Sequence, residues 1–207
     1  TSKNINPSAR PEVVKGSNFY LTADFIYWRI VQDGLLFGTT GVRTERGTTL
    51  NGKGSEHNPN FGWAPGFKVG MGYKLPHDDW DLFVKYTWIE SCNNHNRATS
   101  NNGNLQEGTI IGTLNSQASH ISAITEAQSN WSEHFNVIDL ELARSFYVSQ
   151  YLSLRPYGGL KFTWQTQRWR IEYQANEVSI DTFILPGTAL SSQDHHTWGT
   201  GIRTGMD

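Results

Sequence analysis

The chain has a single cysteine and two methionines among 207 residues. It also lacks any uninterrupted apolar run near the roughly 18 to 20 residues that a membrane-spanning helix requires. The first absence rules out an intramolecular disulfide and leaves Cys92 as a lone thiol, expected at a strand end. The last rules out a helical membrane protein, in agreement with a negative mean hydropathy. It does not rule out a membrane barrel, whose strands need apolar residues only at alternate positions. An excess of one charge is missing too, since 17 Lys and Arg stand against 19 Asp and Glu. No basic stripe of the kind a nucleic-acid partner leaves is present. The N-terminus, TSKNINPSARPEVVKG, is polar and has no basic-then-apolar leader. Residues 1–16 are expected to be a flexible tail on a mature chain whose signal has been removed, and 17–207 to form one structural unit. No Gly-x-Ser-x-Gly elbow and no Cys and His arrangement above chance occurs, so no catalytic residue is expected.

What the chain does have is eight Trp, 13% aromatics and twenty Gly, a mixture that suits a surface meeting lipid headgroups. In FGWAPGFKVGMGY, residues 61–73, the bulky Phe61, Trp63, Pro65, Phe67, Val69, Met71 and Tyr73 alternate with small or charged residues without a break. In a strand that pattern separates the two classes onto opposite faces. WDLFVKYTW repeats it, with Trp80, Leu82, Val84, Tyr86 and Trp88 opposite Asp81, Phe83, Lys85 and Thr87. Four further stretches follow the same rule: FYLTADFIYW, residues 135–146, LSLRPYGGLKFTW, and the segment containing Trp198 and Ile202. Aromatics bracket the apolar faces, as in the girdles of an outer-membrane barrel.

The connections are expected to alternate long and short: a loop at 32–59, a turn at 74–79, an excursion at 90–134, a link at 147–151 and a loop at 171–196. Outer-membrane barrels have short periplasmic turns and long extracellular loops, so the first strand should run outward. Phe19, Tyr73 and Trp80 then mark the inner interface, and Tyr27, Trp28, Trp63, Trp88, Trp164 and Trp198 the outer one. Within 90–134, EGTIIGTL reads as a short strand and 121–134 as a helical turn or two; a folded-in constriction and a surface loop both remain open. Pro65 and Pro156 are tolerable only near strand ends or bulges. The fold expected is all-β, an antiparallel transmembrane β-barrel. Six visible strands fall short of the usual minimum of about eight, so the chain is expected to be truncated at its C-terminus or to hold more strands in its loops.

FYLTADFIYWR, PGFKVGMGYKLPHDDWDLFVKYTW, DLELARSFYVSQYLSLRPYGGLKFTW and WGTGIRTGMD together resemble the Legionella-type major outer membrane protein family, which includes the MOMP-like porins of environmental chlamydiae. The similarity covers the strands and short turns, roughly half of the chain, and RPYGGL after LELAR is its most specific part. The resemblance implies an abundant porin of the bacterial outer membrane that also serves as adhesin and surface antigen. Chlamydial relatives are cysteine-rich and crosslinked. With Cys92 alone, this chain departs from that pattern.

If the bulky faces meet lipid, the lumen receives Asp24, Lys68, Asp81, Lys85, Asp139, Glu141, Arg155, Lys161 and Arg203. A wall of mixed sign implies a weakly selective pore for ions and small hydrophilic solutes. The plainer alternative is that these charges pair into an internal network with little part in transport. His195 and His196 are adjacent, which in a strand sends them to opposite faces and spoils joint metal ligation; a solvated loop is the simpler reading. HDDWD lacks calcium-loop spacing and reads as a polar turn. GTGIRTG looks superficially like a phosphate loop, but no helix follows and it reads as small-residue packing inside a barrel. Neither a metal nor a cofactor is expected. Three functions compete: a passive porin, a surface-displayed barrel that binds a host ligand through its loops, and a soluble lipocalin-like binder. Expected partners are outer-membrane lipid and small solutes, with homo-oligomerisation an open possibility.

Overall fold

The computed structural model describes residues 18–40, 44–45, 48–49, 54–75, 80–100, 105–107, 119–149, 151–180 and 183–207. The expected tail at 1–16 lies outside them, as do His77, Asp78 and Asp79 of the polar turn. The described residues form strands and no helix. In chain order these are β1 (Phe19–Arg29), β2 (Gly38–Thr40), β3 (Thr44–Glu45), β4 (Thr48–Thr49), β5 (Ser55–His57), β6 (Trp63–Lys74), β7 (Trp80–Thr99), β8 (Leu105–Glu107), β9 (Ser119–Arg144), β10 (Phe146–Ser149), β11 (Leu152–Leu154), β12 (Pro156–Ile180) and β13 (Phe183–Met206).

Six of them carry the architecture. They lie side by side in the order β1, β6, β7, β9, β12, β13, every pair antiparallel. These are the six segments the alternation singles out. The sheet is open among the described residues, because β1 pairs only with β6 and β13 only with β12. Pro156 begins β12 and Pro65 sits third in β6, where a missing ladder donor costs least.

The register makes two continuous surfaces. On one, Phe25 (76% exposed), Leu21, Met71, Leu160, Phe162 and Ile202 (85%) stand unburied. On the other lie the glycines and most of the charges. Small residues there let side chains from flanking strands meet: Tyr20 and Phe83 are each in register with Gly72 and stack at 5.8 Å between ring centroids. A Cβ at Gly72 would occupy the space of the Tyr20 ring.

Three expected connections are corrected. The polar excursion at 90–134 is mostly strand: β7 continues to Thr99, β9 begins at Ser119, and the two stay paired up to Thr99 and Glu126. The helical turns expected at 121–134 do not form. Among the described residues, 171–180 and 183–196 are likewise strand and not loop, since β12 and β13 stay paired as far as Ile180 and Phe183. The link at 147–151 belongs to a small separate hairpin of β10 and β11. These extensions arise because a strand with a polar outer face is as content in water as a loop, and its backbone groups then satisfy one another. At 26 residues, β9 is more than twice as long as the about 9–11 residues that cross a bilayer.

The main core lies in the extended part. Phe37, Phe61, Leu105, Ile124, Trp131, Trp169, Ile171 and Tyr173 pack together there, with Trp131 only 1% exposed. Its sheet-borne members are on the charged face, and Leu35, Phe37 and Phe61 come from the segment joining β1 to β6.

Candidate functional site

The face opposite the exposed apolar one has two levels. At the first, Lys85, Asp139, Lys161 and Gly201 form one cross-strand row over β7, β9, β12 and β13. Asp139 is 2% exposed and Glu141 4%. Arg203 Nη1 lies 2.6 Å from Asp139 Oδ2 and its Nη2 3.2 Å from Glu141 Oε1. Lys161 Nζ is 3.4 Å from Asp139 Oδ1, and Lys85 Nζ is 3.8 Å from Asp139 and 3.9 Å from Glu141. Arg155 extends the network: its Nη2 is 3.0 Å from Asp81 Oδ2, and its Nη1 3.0 Å from Asp207 and 3.8 Å from Glu141. Tyr20 donates its hydroxyl to Asp81 at 3.4 Å. Four cations and four carboxylates are thus interlocked, so the face is polar with little excess of either sign.

Seven of the nine charges expected on one face, Asp81, Lys85, Asp139, Glu141, Arg155, Lys161 and Arg203, meet in this network. Asp24 and Lys68 stand apart as a cross-strand pair of β1 and β6. The Lys68 ammonium lies 4.5 Å from the centroid of the Trp28 ring, which shares that face rather than the one carrying Tyr27. Among the other aromatics, Trp88, Trp164 and Trp198 fall on one register row through Asn136, and Phe19 and Tyr73 on another through Leu82. Trp63 stacks on Tyr27 at 5.6 Å, and Trp80 is exposed at the start of β7. Six positions along β7 separate Leu82 from Trp88, about 20 Å along the strand at 3.4 Å per residue.

At the second level the chain after β1 crosses this same face. Phe37 is buried against the core, and Tyr173 donates its hydroxyl to the Phe37 carbonyl at 2.7 Å. Gln32 accepts a hydrogen bond from Gln167. Beside this crossing lies a cavity of about 300 Å³, lined by residues 32–35, Trp131, Gln167, Trp169, Gln193 and His195. Burial raises the Glu133 carboxyl pKa, opposed by the hydrogen bond from Gln167, whereas the hydrogen bond from Arg97 chiefly lowers that of Glu126. Cys92 lies within β7, paired with Ser132, and not at the strand end expected of it; it is exposed, and burial of the sulfur and then Glu90 push its thiol up, which makes it a poor nucleophile at neutral pH.

Sequence reading missed this second level. Its signal was present in β12, where Trp169, Ile171, Tyr173 and Ala175 alternate with Arg168, Arg170, Glu172 and Gln174. Facing residues of β9 are mixed, Ala127, Ser129, Trp131 and Glu133, and nothing in them marks a core. His195 and His196 do point to opposite faces, but within a strand: His195 lines the cavity, and His196 bonds Thr166 at 3.2 Å. GTGIRTG is part of β13, where Gly205 gives room to the Tyr157 ring and Gly199 to the Thr163 hydroxyl, whereas Gly201 faces open space.

A family model described as the Legionella pneumophila major outer membrane protein precursor matches the chain over residues 12–207. No curated protein and no solved structure matches it.

Proposed function

The chain belongs to the Legionella pneumophila major outer membrane protein family and resides in a bacterial outer membrane, and from that premise we propose that it forms a passive, water-filled channel for ions and small hydrophilic solutes. The observation that carries this reading is the separation of the two faces. Four cations, Lys85, Arg155, Lys161 and Arg203, lie on one of them. Lys85 and Lys161 share the row midway between the two aromatic levels, and at about 2–4 kcal/mol for each Lys facing lipid near the midplane, turning that face to the bilayer would cost on the order of 4–8 kcal/mol for these two alone. The other face exposes Leu21, Phe25, Leu160, Phe162 and Ile202, which suit hydrocarbon.

In this reading the nine charges from Asp24 to Arg203 line the water path. Phe19, Tyr73 and Trp80 sit at the inner headgroup level, with Tyr27, Trp63, Trp88, Trp164 and Trp198 at the outer. Trp28 belongs to the outer rim on the water side. The partners are outer-membrane lipid and the permeating solutes, and transport is diffusion past a wall of mixed sign. The family is one of outer-membrane proteins and not an enzyme class, and membrane residence leaves no place for a soluble lipocalin-like binder.

Planar-bilayer recording of the purified full-length protein tests the channel. Stepwise conductance with weak ion selectivity is expected, shifted toward cations by Lys161→Glu. A protein that inserts and never conducts would end this reading.

A second reading draws support from the length of β9, β12 and β13, which carry a packed core past the Trp88, Trp164 and Trp198 row. A structured projection of that kind suits display of a binding surface to a host ligand. In that case proteolytic shaving of the projection abolishes cell binding, and no conductance is seen at any stage.

A further inference from the structure

We infer that the cavity beside the chain crossing is a binding site for a neutral polyol of hexose size. A volume of about 300 Å³ fits one sugar ring at the lower end of ligand pockets. The floor is made by the buried indoles of Trp131 and Trp169, while the rim brings together the Asp33 carboxylate, the Gln193 amide and the His195 imidazole. The Asp33, Gln193 and His195 side chains are solvent-exposed and make no hydrogen bond or ion pair to another described residue. By contrast, Gln167 is already engaged with Gln32 and Glu133. Three convergent polar groups over an apolar floor are what orients a small ligand in a preformed site.

The chemistry of the rim selects the class. No Lys or Arg lines the cavity, and Arg168 is instead paired with Asp194 at 2.9 Å. With Asp33 on the rim and Glu133 bonded behind Gln167, an anion is disfavoured. Asp33 and His195 supply two metal donors where a stable site needs more, and no metal-binding cluster of three occurs among the described residues. An amide and an imidazole both donate and accept, and a carboxylate accepts twice, which matches vicinal hydroxyls. Gly34, with φ of 83°, turns the chain so that Asp33 and Leu35 both reach the cavity.

Service of this site as a way-station for permeating sugar rests on the channel reading; binding itself does not. The test is calorimetric titration of D-glucose into the detergent-solubilised full-length protein, in parallel with glucose titration of bilayer current. Saturable binding near about 1 mM is expected for a ligand of this size. Gln193→Leu and His195→Leu should each weaken it about tenfold, as loss of an oriented hydrogen bond does, with Asp33→Asn as a milder third variant. Arg168→Gln, on the opposite face of β12, should leave it unchanged. No saturable heat from the folded protein, binding unaffected by all three cavity variants, or saturable binding of choline but not of glucose overturns the proposal. Glucose binding without conductance keeps the site and removes the channel; conductance with no glucose binding does the reverse.

Discussion

Arg203 holds Asp139 at 2.6 Å although a whole strand separates them in the sheet. The contact is possible because Gly159, the register partner of both Arg203 and Glu141, puts no side chain between β13 and β9. A Cβ at Gly159 would run into the Leu140 carbonyl. One small residue therefore lets cations from both directions converge on two almost fully buried carboxylates.

Asp139→Ala should accordingly be far more damaging than the loss of any single cation. It leaves Lys161 without its carboxylate and Arg203 and Lys85 to share Glu141 alone, and removing one partner of a buried ionic cluster costs up to about 3–5 kcal/mol. Lys161→Ala, whose side chain is 43% exposed, should cost less than about 1 kcal/mol. Urea unfolding of the refolded protein in lipid vesicles measures both. Equal, small losses would mean that water already screens the cluster.

Gly72→Leu should destabilise by about 1–3 kcal/mol, the usual result of forcing bulk into a packed site. The bulk displaces Tyr20 from Phe83, and with it the hydroxyl that reaches Asp81. Combining it with Tyr20→Ala should cost less than the sum of the two single changes, because the first clash disappears. Strict additivity in a double-mutant cycle would place Tyr20 elsewhere.

The membrane-depth strands were legible because a lipid-facing surface forces bulky residues into alternate positions, and Phe67, Val69, Met71 and Tyr73 record that without interruption. Most of the charge network was legible by the same parity. Past Trp164 the bulky set on that face gives way to Arg168, Arg170 and Glu172, and the remaining apolar residues move to the opposite face. The alternation inverts there, and a reading tuned to one polarity takes the inversion for a loop. What covers that inner apolar run could not be read at all, because Leu35 and Phe37 belong to a segment with no period.

Acidity should act on the extended part in two opposed steps. Glu133 has a carboxyl pKa raised by burial, so in the folded state it subtracts stability at neutral pH and the penalty is relieved as pH falls through its folded value. Glu126 has a lowered pKa, chiefly through its hydrogen bond from Arg97, so its contribution is present above the ordinary carboxyl value and lost as pH falls through the folded one. Hydrogen-exchange protection across β9 and β12 should then rise on mild acidification and fall on stronger. Glu133→Gln should remove the rise and Arg97→Ala reduce the later fall. A monotonic loss of protection in the native protein would contradict the assignment of Glu133.

The segment carrying Phe37 sets the last prediction, because it lies across the face along which solute is proposed to move. Phe37 is 2% exposed and linked to Tyr173 both by packing and by the hydroxyl at its carbonyl. Full truncation of a buried Phe costs about 3–5 kcal/mol, and a segment that loses its main anchor can detach without unfolding the sheet behind it. Phe37→Ala should therefore raise single-channel conductance and open the segment to protease while leaving the global unfolding midpoint nearly unchanged. Tyr173→Phe removes only the hydroxyl, worth about 0.5–1.5 kcal/mol, and should give a smaller effect seen mainly as increased current noise. Protease sensitivity that rises while conductance stays fixed would show that the solute path does not pass this segment, and the display reading would then gain what the channel loses.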